Sequence, residues 1–306
     1  MPLKNNNKTA LIIVAGPTAV GKTKVAIQLA RHYNTVILSA DSRQIYKELS
    51  IGTAKPTAEE LSMARHYFIG TQSVTSPYNA GEFEREAHQL IEKLANQYQT
   101  IIVAGGTGLY IKALCEGLDE MPDIDPDIRI SLNNRFMETG LDPLLDELQR
   151  LDPAYYEQVD RKNPRRIIRA LEVCLGTGKS FSSLLKKEPS INKNFRCIKI
   201  GLERPREELY ERINQRVDDM ISAGLLAEAE RHFTLRELPA LQTVGYSELF
   251  AMMEGKHDMV EAIRLIKRNT RRYAKRQLTW FKNQADYQWF HPGHYEQIRA
   301  YADSNI

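Results

Sequence analysis

Gly16, Gly21, Lys22 and Thr23 fall at the spacing G-x-x-x-x-G-K-[ST] within LIIVAGPTAVGKT, residues 11–23. Each part of that pattern has a chemical reason. The two glycines allow dihedrals and close approaches that a Cβ would block. The loop between them, through Pro17, Thr18, Ala19 and Val20, turns its amides into one concavity, and the positive end of the following helix adds to it. Lys22 supplies a point charge for a terminal phosphate, and the Thr23 hydroxyl suits Mg²⁺. The apolar strand before the loop and the amphipathic helix after it are the flanks this pattern demands. The chain is therefore expected to bind a diphosphate or triphosphate.

Two more polar turns follow apolar strands. TVILSA (residues 35–40) runs into Asp41-Ser42-Arg43-Gln44, and TIIVA (100–104) runs into Gly105-Gly106-Thr107. Strand, helix and strand at this distance make a βαβ unit with a parallel sheet, whose ligands bind beyond the carboxyl ends of the strands. Asp41 lies at that edge, either as a Mg²⁺ ligand or as a general base beside the reacting centre. An ordinary phosphate-loop NTPase carries a further acid on a neighbouring strand, and the strand ending in Gly-Gly-Thr offers none. Thr107 is alternatively a cap for the helix beginning near Gly108, and Gly105 and Gly106 alternatively serve helix–strand packing.

The elements around these turns define an α/β fold. A P-loop-type parallel sheet flanked by helices takes residues 1–118 and 196–306, and an all-helical insertion takes residues 119–195. In the core, helices are expected from Lys22 to Tyr33, from Ala80 to about Tyr98 and from Arg206 to Ala223. Thr57 and Glu60 form a capping box for a helix near Ala58. Residues 196–203 read as a returning strand, and YQWF (287–290) as a short edge strand. On the 206–223 helix, Arg212 and Arg216 share a face, and spacing alone does not rank them. The insertion opens with MPDIDPDIR and carries Arg161, Lys162, Arg165, Arg166 and Arg169, with Lys186 and Lys187 on the way out.

The last long helix, from about Met259 to Gln284, holds Arg264, Lys267, Arg268, Arg271, Arg272, Lys275 and Arg276 at three- and four-residue intervals, with no acid between Arg264 and Lys282. That spacing lays them along one face. An unmixed stripe repels itself unless something anionic lies on it, so nucleic acid is the expected partner, with the 161–169 cluster as a second basic surface. The formal net charge of only +3 over 306 residues would not have shown this. Cys115, Cys174 and Cys197 are far apart in sequence and have no C-x-x-C spacing, so buried thiols are expected rather than a zinc site or disulfide frame. No apolar run approaches a membrane span. The opening MPLKNNNKTA has no signal-peptide core, so a protein of the cytoplasm with no membrane partner is expected, and a monomer is the expected state.

The motifs GPTAVGKT, ADSRQIYKELSIGTAKP, VAGGTGLYIKAL, NPRRIIRALEV, INQRVDDMISAGLLAE, LQTVGYSEL and AKRQLTWFK occur in this order. Together they resemble the bacterial tRNA dimethylallyltransferases (tRNA isopentenyltransferases, the IPP transferase family) from about residue 10 to 290. The resemblance implies transfer of a dimethylallyl group from dimethylallyl diphosphate to N6 of the adenosine 3′ of the anticodon, adenosine-37, with Mg²⁺ and release of diphosphate. By motif, Gly16 to Thr23 would hold the prenyl diphosphate with Arg216. Asp41 would orient or deprotonate the adenine amine, and Thr107 would line the reaction channel. The tRNA anticodon stem-loop would meet Asp41, Ser42, Arg43 and Gln44; Arg129; Arg165, Arg166, Ile167, Ile168 and Arg169; Gln242, Thr243, Val244, Gly245, Tyr246 and Ser247; and Lys275, Arg276, Gln277, Leu278, Thr279, Trp280, Phe281 and Lys282. Eukaryotic members carry a C-terminal zinc finger, and none follows here, which implies the bacterial type. Two competing readings are a small-molecule kinase or ATPase, and an RNA-binding module with a vestigial phosphate loop.

Overall fold

The computed structural model describes residues 8–119, 121–185, 195–284 and 286–306. Two compact units divide the chain: Met1–Glu116 with Ile191–Ile306, and Gly117–Ser190. The first begins with β1 (Thr9–Ala15), α1 (Lys22–His32), β2 (Ile37–Ser39), α2 (Ala58–Met63), β3 (His66–Tyr67), α3 (Ala80–Leu94), β4 (Thr100–Gly105) and α4 (Gly108–Glu116). The second contains α5 (Pro126–Thr139), α6 (Asp142–Leu151), α7 (Pro153–Tyr156), α8 (Pro164–Thr177) and α9 (Phe181–Leu184), with no strand among its described residues. The first unit resumes with β5 (Phe195–Leu202), α10 (Arg206–Ser222), α11 (Leu225–Arg231), α12 (Tyr246–Met253), α13 (Met259–Lys282), β6 (Gln288–Phe290) and α14 (Tyr295–Asn305).

The six strands form one parallel sheet in the order β3-β2-β4-β1-β5-β6. Parallel strands need crossovers that cover both faces, so their sequences are apolar throughout rather than alternating. Six of the seven residues of β1 are buried accordingly. Side chains still alternate between faces. Leu11, Ile13, Leu38, Ile101 and Val103 enter one core with Phe83 and Ile91 of α3, Leu114 of α4 and Leu249 of α12. Ile12, Val14, Ile37, Ile102 and Ile200 enter the other with Leu29 of α1, Ile213 of α10 and Ile298 of α14. Register aligns the carboxyl ends: Ala15 pairs with Gly105 and with Gly201, and Ser39 with Ala104. The turns after β1, β2 and β4 therefore leave the sheet at one edge.

The second unit has its own core, built from Leu132, Leu144, Leu148, Ile167, Leu171 and Phe181. Buried Asp152 organises it, capping α7 through the Tyr155 amide (3.0 Å) and accepting from the Ser182 amide (2.6 Å) and hydroxyl (2.7 Å). Lys186 and Lys187 lie outside the described residues.

The local signals behave as their chemistry requires, with shorter elements than expected. The Thr57–Glu60 capping box is present in both directions, at 2.9 and 3.1 Å. The second strand is reduced to Ile37–Ser39, and α3 stops at Leu94, where the Gln97 and Tyr98 amides fold back on the Leu94 carbonyl. The last long helix stops at Lys282 rather than Gln284. Two-residue β3 leaves no periodicity to read. All three cysteines are free, but the fold brings Cys115 and Cys197 to 2.9 Å, a proximity that their sequence separation hid. No described helix is long and apolar enough to cross a membrane.

Glu228 of α11 fixes the segment after β2. Its carboxylate accepts from the amides of Ser50 (3.0 Å), Ile51 (2.9 Å) and Gly52 (2.9 Å) and from the Tyr246 hydroxyl (2.5 Å). Burial pushes its pKa up, but those donors outweigh burial and hold it below the usual glutamate range. Glu228→Ala strands three amides and a phenol, and should cost about 3 kcal/mol of stability, read from the urea midpoint. The carboxylate's contribution is full above the ordinary glutamate pKa and is lost as pH falls through its lowered folded value. The wild-type–variant difference should therefore shrink in acid.

Candidate active site

The 16–23 loop takes its shape from its glycines. Gly16 has φ 153 and lies so near β5 that a Cβ would come within 2.6 Å of the Leu202 carbonyl oxygen. Gly21 begins α1 in the left-handed region, at φ 113. Ala19 is also left-handed, at φ 63, an uncommon conformation for a residue with a Cβ.

Three arginines hold this loop from outside it. Arg216 donates to the Thr18 hydroxyl (3.2 Å), Arg212 to the Ala19 carbonyl (2.9 Å) and Arg204 to the Val20 carbonyl (2.7 Å). The two arginines that spacing could not rank thus both reach the loop, with Arg216 the less exposed. Arg204 is itself set by Glu208 and His291. Lys22 folds over the loop's own carbonyls, donating to Gly16 (3.0 Å) and Pro17 (2.8 Å).

Asp41 stands across from these cations. Its Oδ1 accepts from the amides of Arg43 (2.9 Å) and Gln44 (3.3 Å), an Asx turn that fixes the carboxylate. Its other oxygen has no hydrogen-bond partner among the described residues. Asp41, Thr18, Lys22, Thr23 and Arg216 line one cavity of about 510 Å³. Burial lowers the Lys22 pKa to about 8, with Asp41 opposing that shift and Arg216 adding to it. Burial also lowers Arg216, again against Asp41. Glu60 and Asp219 line the cavity as well, and cations desolvated beside the loop in this way suit an anionic group.

The turn after β4 is pressed against the end of β2. A Cβ on Gly105 would collide with the Ala40 carbonyl, and one on Gly106 would collide with the Gln277 amide. These glycines are needed for close approach between turns, beyond helix–strand packing. Thr107 is not part of the cavity lining. Its hydroxyl accepts from the Ser42 amide (2.9 Å) and donates to the Ser42 hydroxyl (3.2 Å), so it fastens one turn to the other instead of capping α4.

The expected tRNA-facing stretches divide by burial. Ile167 and Ile168 belong to the core of the second unit, and Tyr246 and Phe281 to that of the first. Gly245 and Gln277 are buried too. Ile167, Ile168, Tyr246, Gln277 and Phe281 lie on the packing faces of their helices, and Gly245 and Gln277 also line the cavity. Arg165, Arg166, Gln242, Lys275, Arg276, Thr279 and Lys282 are exposed. Ser42, Thr243, Val244, Ser247, Leu278 and Trp280 are half-buried. Arg43 donates to the carbonyls of Pro239 (3.0 Å) and Ala240 (3.2 Å), and Gln44 to those of Thr53 (3.2 Å) and Ala54 (3.0 Å). Arg129 (4.0 Å) and Arg169 (3.0 Å) converge on buried Glu172.

The basic stripe of α13 is less bare than its own sequence suggests. Arg264 pairs with Glu261 (2.6 Å), Lys267 with Asp218 of α10 (2.6 Å), and Lys282 with Glu203 (2.7 Å). Arg272, Lys275 and Arg276 are exposed and make no ion pair among the described residues.

Sequence reasoning missed Arg204, Tyr273 and the structural role of Gln277. A lone arginine after a strand carries no pattern. Tyr273 lines the cavity from within the basic stripe, its phenol pushed up to about 12 chiefly by burial, and an aromatic at a packing position of a helix reads as core.

The family model described as IPP transferase matches residues 44–284. The chain is 50% identical over 296 residues to a tRNA dimethylallyltransferase of Cytophaga hutchinsonii, covering 97% of each chain. It is 44% identical to tRNA dimethylallyltransferase 1 of Bacteroides fragilis, covering 97% of this chain and 98% of that one. The fold resembles the full-length tRNA isopentenylpyrophosphate transferase of Bacillus halodurans, with a TM-score of 0.72, 35% identity, and coverage of 97% and 96%. It also resembles a eukaryotic dimethylallyltransferase acting on tRNA, with a TM-score of 0.78, 26% identity, and coverage of 97% and 79%. A family match over most of the chain and half-identical relatives of full length agree with the cavity chemistry: the chain belongs to the IPP transferase family.

Proposed function

We propose that this chain transfers a dimethylallyl group from dimethylallyl diphosphate to N6 of adenosine-37 in cytoplasmic tRNA. The observation that carries this reading is the cavity that Asp41, fixed by its Asx turn, lines together with Lys22, Arg216 and residues of the 16–23 loop. A bond forms between N6 and C1 of the prenyl group as the C1–O bond breaks. The N6 proton passes to the open oxygen of Asp41, and diphosphate leaves with both bonding electrons. The negative charge that develops on the leaving oxygens is met by the loop amides, Lys22 and Arg216, already held in position. A stacked base offers its amine poorly, so the adenine must be turned out of the anticodon loop, where unpaired bases are read on their edges.

Mg²⁺ fits the donors present. The Thr23 hydroxyl is a hard oxygen in the same cavity, and the ion would draw its remaining ligands from substrate phosphates and water. Among the described residues no group of three His, Cys, Asp or Glu side chains would hold the ion without such oxygens. Thr23 would hold it, and the ion would add positive charge at the leaving diphosphate. For tRNA, exposed Arg272, Lys275 and Arg276 on α13, with Arg165 and Arg166 on the helical insertion, are suited to the phosphate backbone. Supporting the donor assignment over a kinase is the lack of a second acid on β4.

Purified protein with Mg²⁺, dimethylallyl diphosphate and an anticodon stem-loop bearing three successive adenosines should yield RNA heavier by one dimethylallyl unit. Chelation should stop the reaction, and absence of product with the metal present would reject the proposal. Asp41→Ala should lower turnover by about 10²-fold or more with little change in stem-loop Kd. Lys22→Ala should lower kcat/KM for dimethylallyl diphosphate by about 10²-fold. Dimethylallyl diphosphate should raise Tm more than ATP does at equal concentration.

A further inference from the structure

Gln277 lies on the packing face of α13, with Ala274 three residues before it and Phe281 four after, and only 7% of it is exposed. A buried amide is costly unless both its ends are paired. Here both are. Its Oε1 accepts from the Thr18 amide (2.8 Å), and its Nε2 donates to the Gly106 carbonyl (2.9 Å). One side chain therefore joins the loop after β1 to the turn after β4, and ties both to the helix that carries Arg272, Lys275 and Arg276. The fit leaves no slack, since any Cβ on Gly106 would collide with Nε2.

Thr18 is held from two sides by this arrangement. Its amide is fixed by Gln277 and its hydroxyl by Arg216. Displacing Gln277 would free the Thr18 peptide to rotate, moving the loop amides and the Arg216 guanidinium out of register. Electrostatic stabilisation of a leaving group depends on dipoles that need no reorganisation when charge develops.

We infer that Gln277, which also lines the cavity, is a positioning residue that braces the 16–23 loop against the Gly106 turn for diphosphate binding. The inference rests on the function proposed above and assigns this residue to the donor side of the reaction. Its neighbours Lys275 and Arg276 face solvent on the other side of the helix.

Gln277→Met keeps the length and removes both hydrogen bonds. It should weaken binding of inorganic pyrophosphate, measured with Mg²⁺ by calorimetry, by about tenfold or more. The Kd of the anticodon stem-loop should stay within about twofold of wild type, because no phosphate-pairing cation is lost. In turnover, kcat/KM for the prenyl donor should fall while KM for RNA holds. Gly106→Ala displaces the same amide with Gln277 retained, and should reproduce the pyrophosphate defect even if the methionine variant folds poorly. Weakened RNA binding with unchanged pyrophosphate affinity in Gln277→Met would overturn the inference, as would no change in either ligand. A wild-type protein that prenylates RNA while Gln277→Met binds pyrophosphate equally well rejects the brace alone. A wild-type protein that binds pyrophosphate but never prenylates rejects the proposed reaction and leaves the brace to its own measurement.

Discussion

The architecture of the site depends on how closely two turns approach at the carboxyl edge of the sheet. Gly105 ends β4 where it touches the backbone of Ala40, with no room for a side chain between them, and the Thr107 amide donates to that same Ala40 carbonyl at 3.2 Å. This contact carries the residue after Ala40, which is Asp41, to a fixed place beside the loop that follows β1. Parallel pairing aligns the strand ends, but pairing alone would leave the turns free to splay. Backbone contact, the Ser42–Thr107 hydroxyl bonds and the Gln277 amide convert three neighbouring turns into one rigid rim.

On that rim the charges are unbalanced by design of the fold. Lys22 and Arg216 are desolvated in a cavity that Asp41, Glu60 and Asp219 also line, and each has a pKa lowered mainly by burial, with Asp41 the largest opposing charge. Lys22 spends its donors on loop carbonyls, which are weaker partners than an ion. A bound diphosphate, as proposed, would replace those bonds with charge-assisted ones and relieve the burial cost of both cations. Under the proposed reaction, acid and cations would serve opposite ends of one bond exchange.

What could be read from the chain alone was local. The glycine-bounded loop, the Thr57–Glu60 cap and the strand–turn boundaries are encoded within a few residues, so type and spacing suffice to place them. What could not be read was tertiary. Arg204, Gln277 and Glu228 act on backbone contributed by distant segments, and nothing near them in sequence announces the partner. The ranking of Arg212 and Arg216 required the loop they touch. The stripe on α13 looked uncompensated because its counter-charges, Asp218 and Glu203, belong to other segments. Stretches matched to tRNA contact by motif mixed exposed cations with packing residues such as Ile168 and Phe281, since a motif does not distinguish the faces of its helix.

The place of the insertion has a bearing on how the molecule is made. β1 pairs with β4 on one side and with β5 on the other, and the second ladder joins Thr9 to Phe195 across residues 117–190. A ribosome therefore releases the central strand long before its second neighbour exists. During that interval the insertion, whose helices pack on near neighbours, has the shorter search and can collapse first. β1 meanwhile presents an open apolar edge, the kind of surface that chaperones cover and that aggregates exploit.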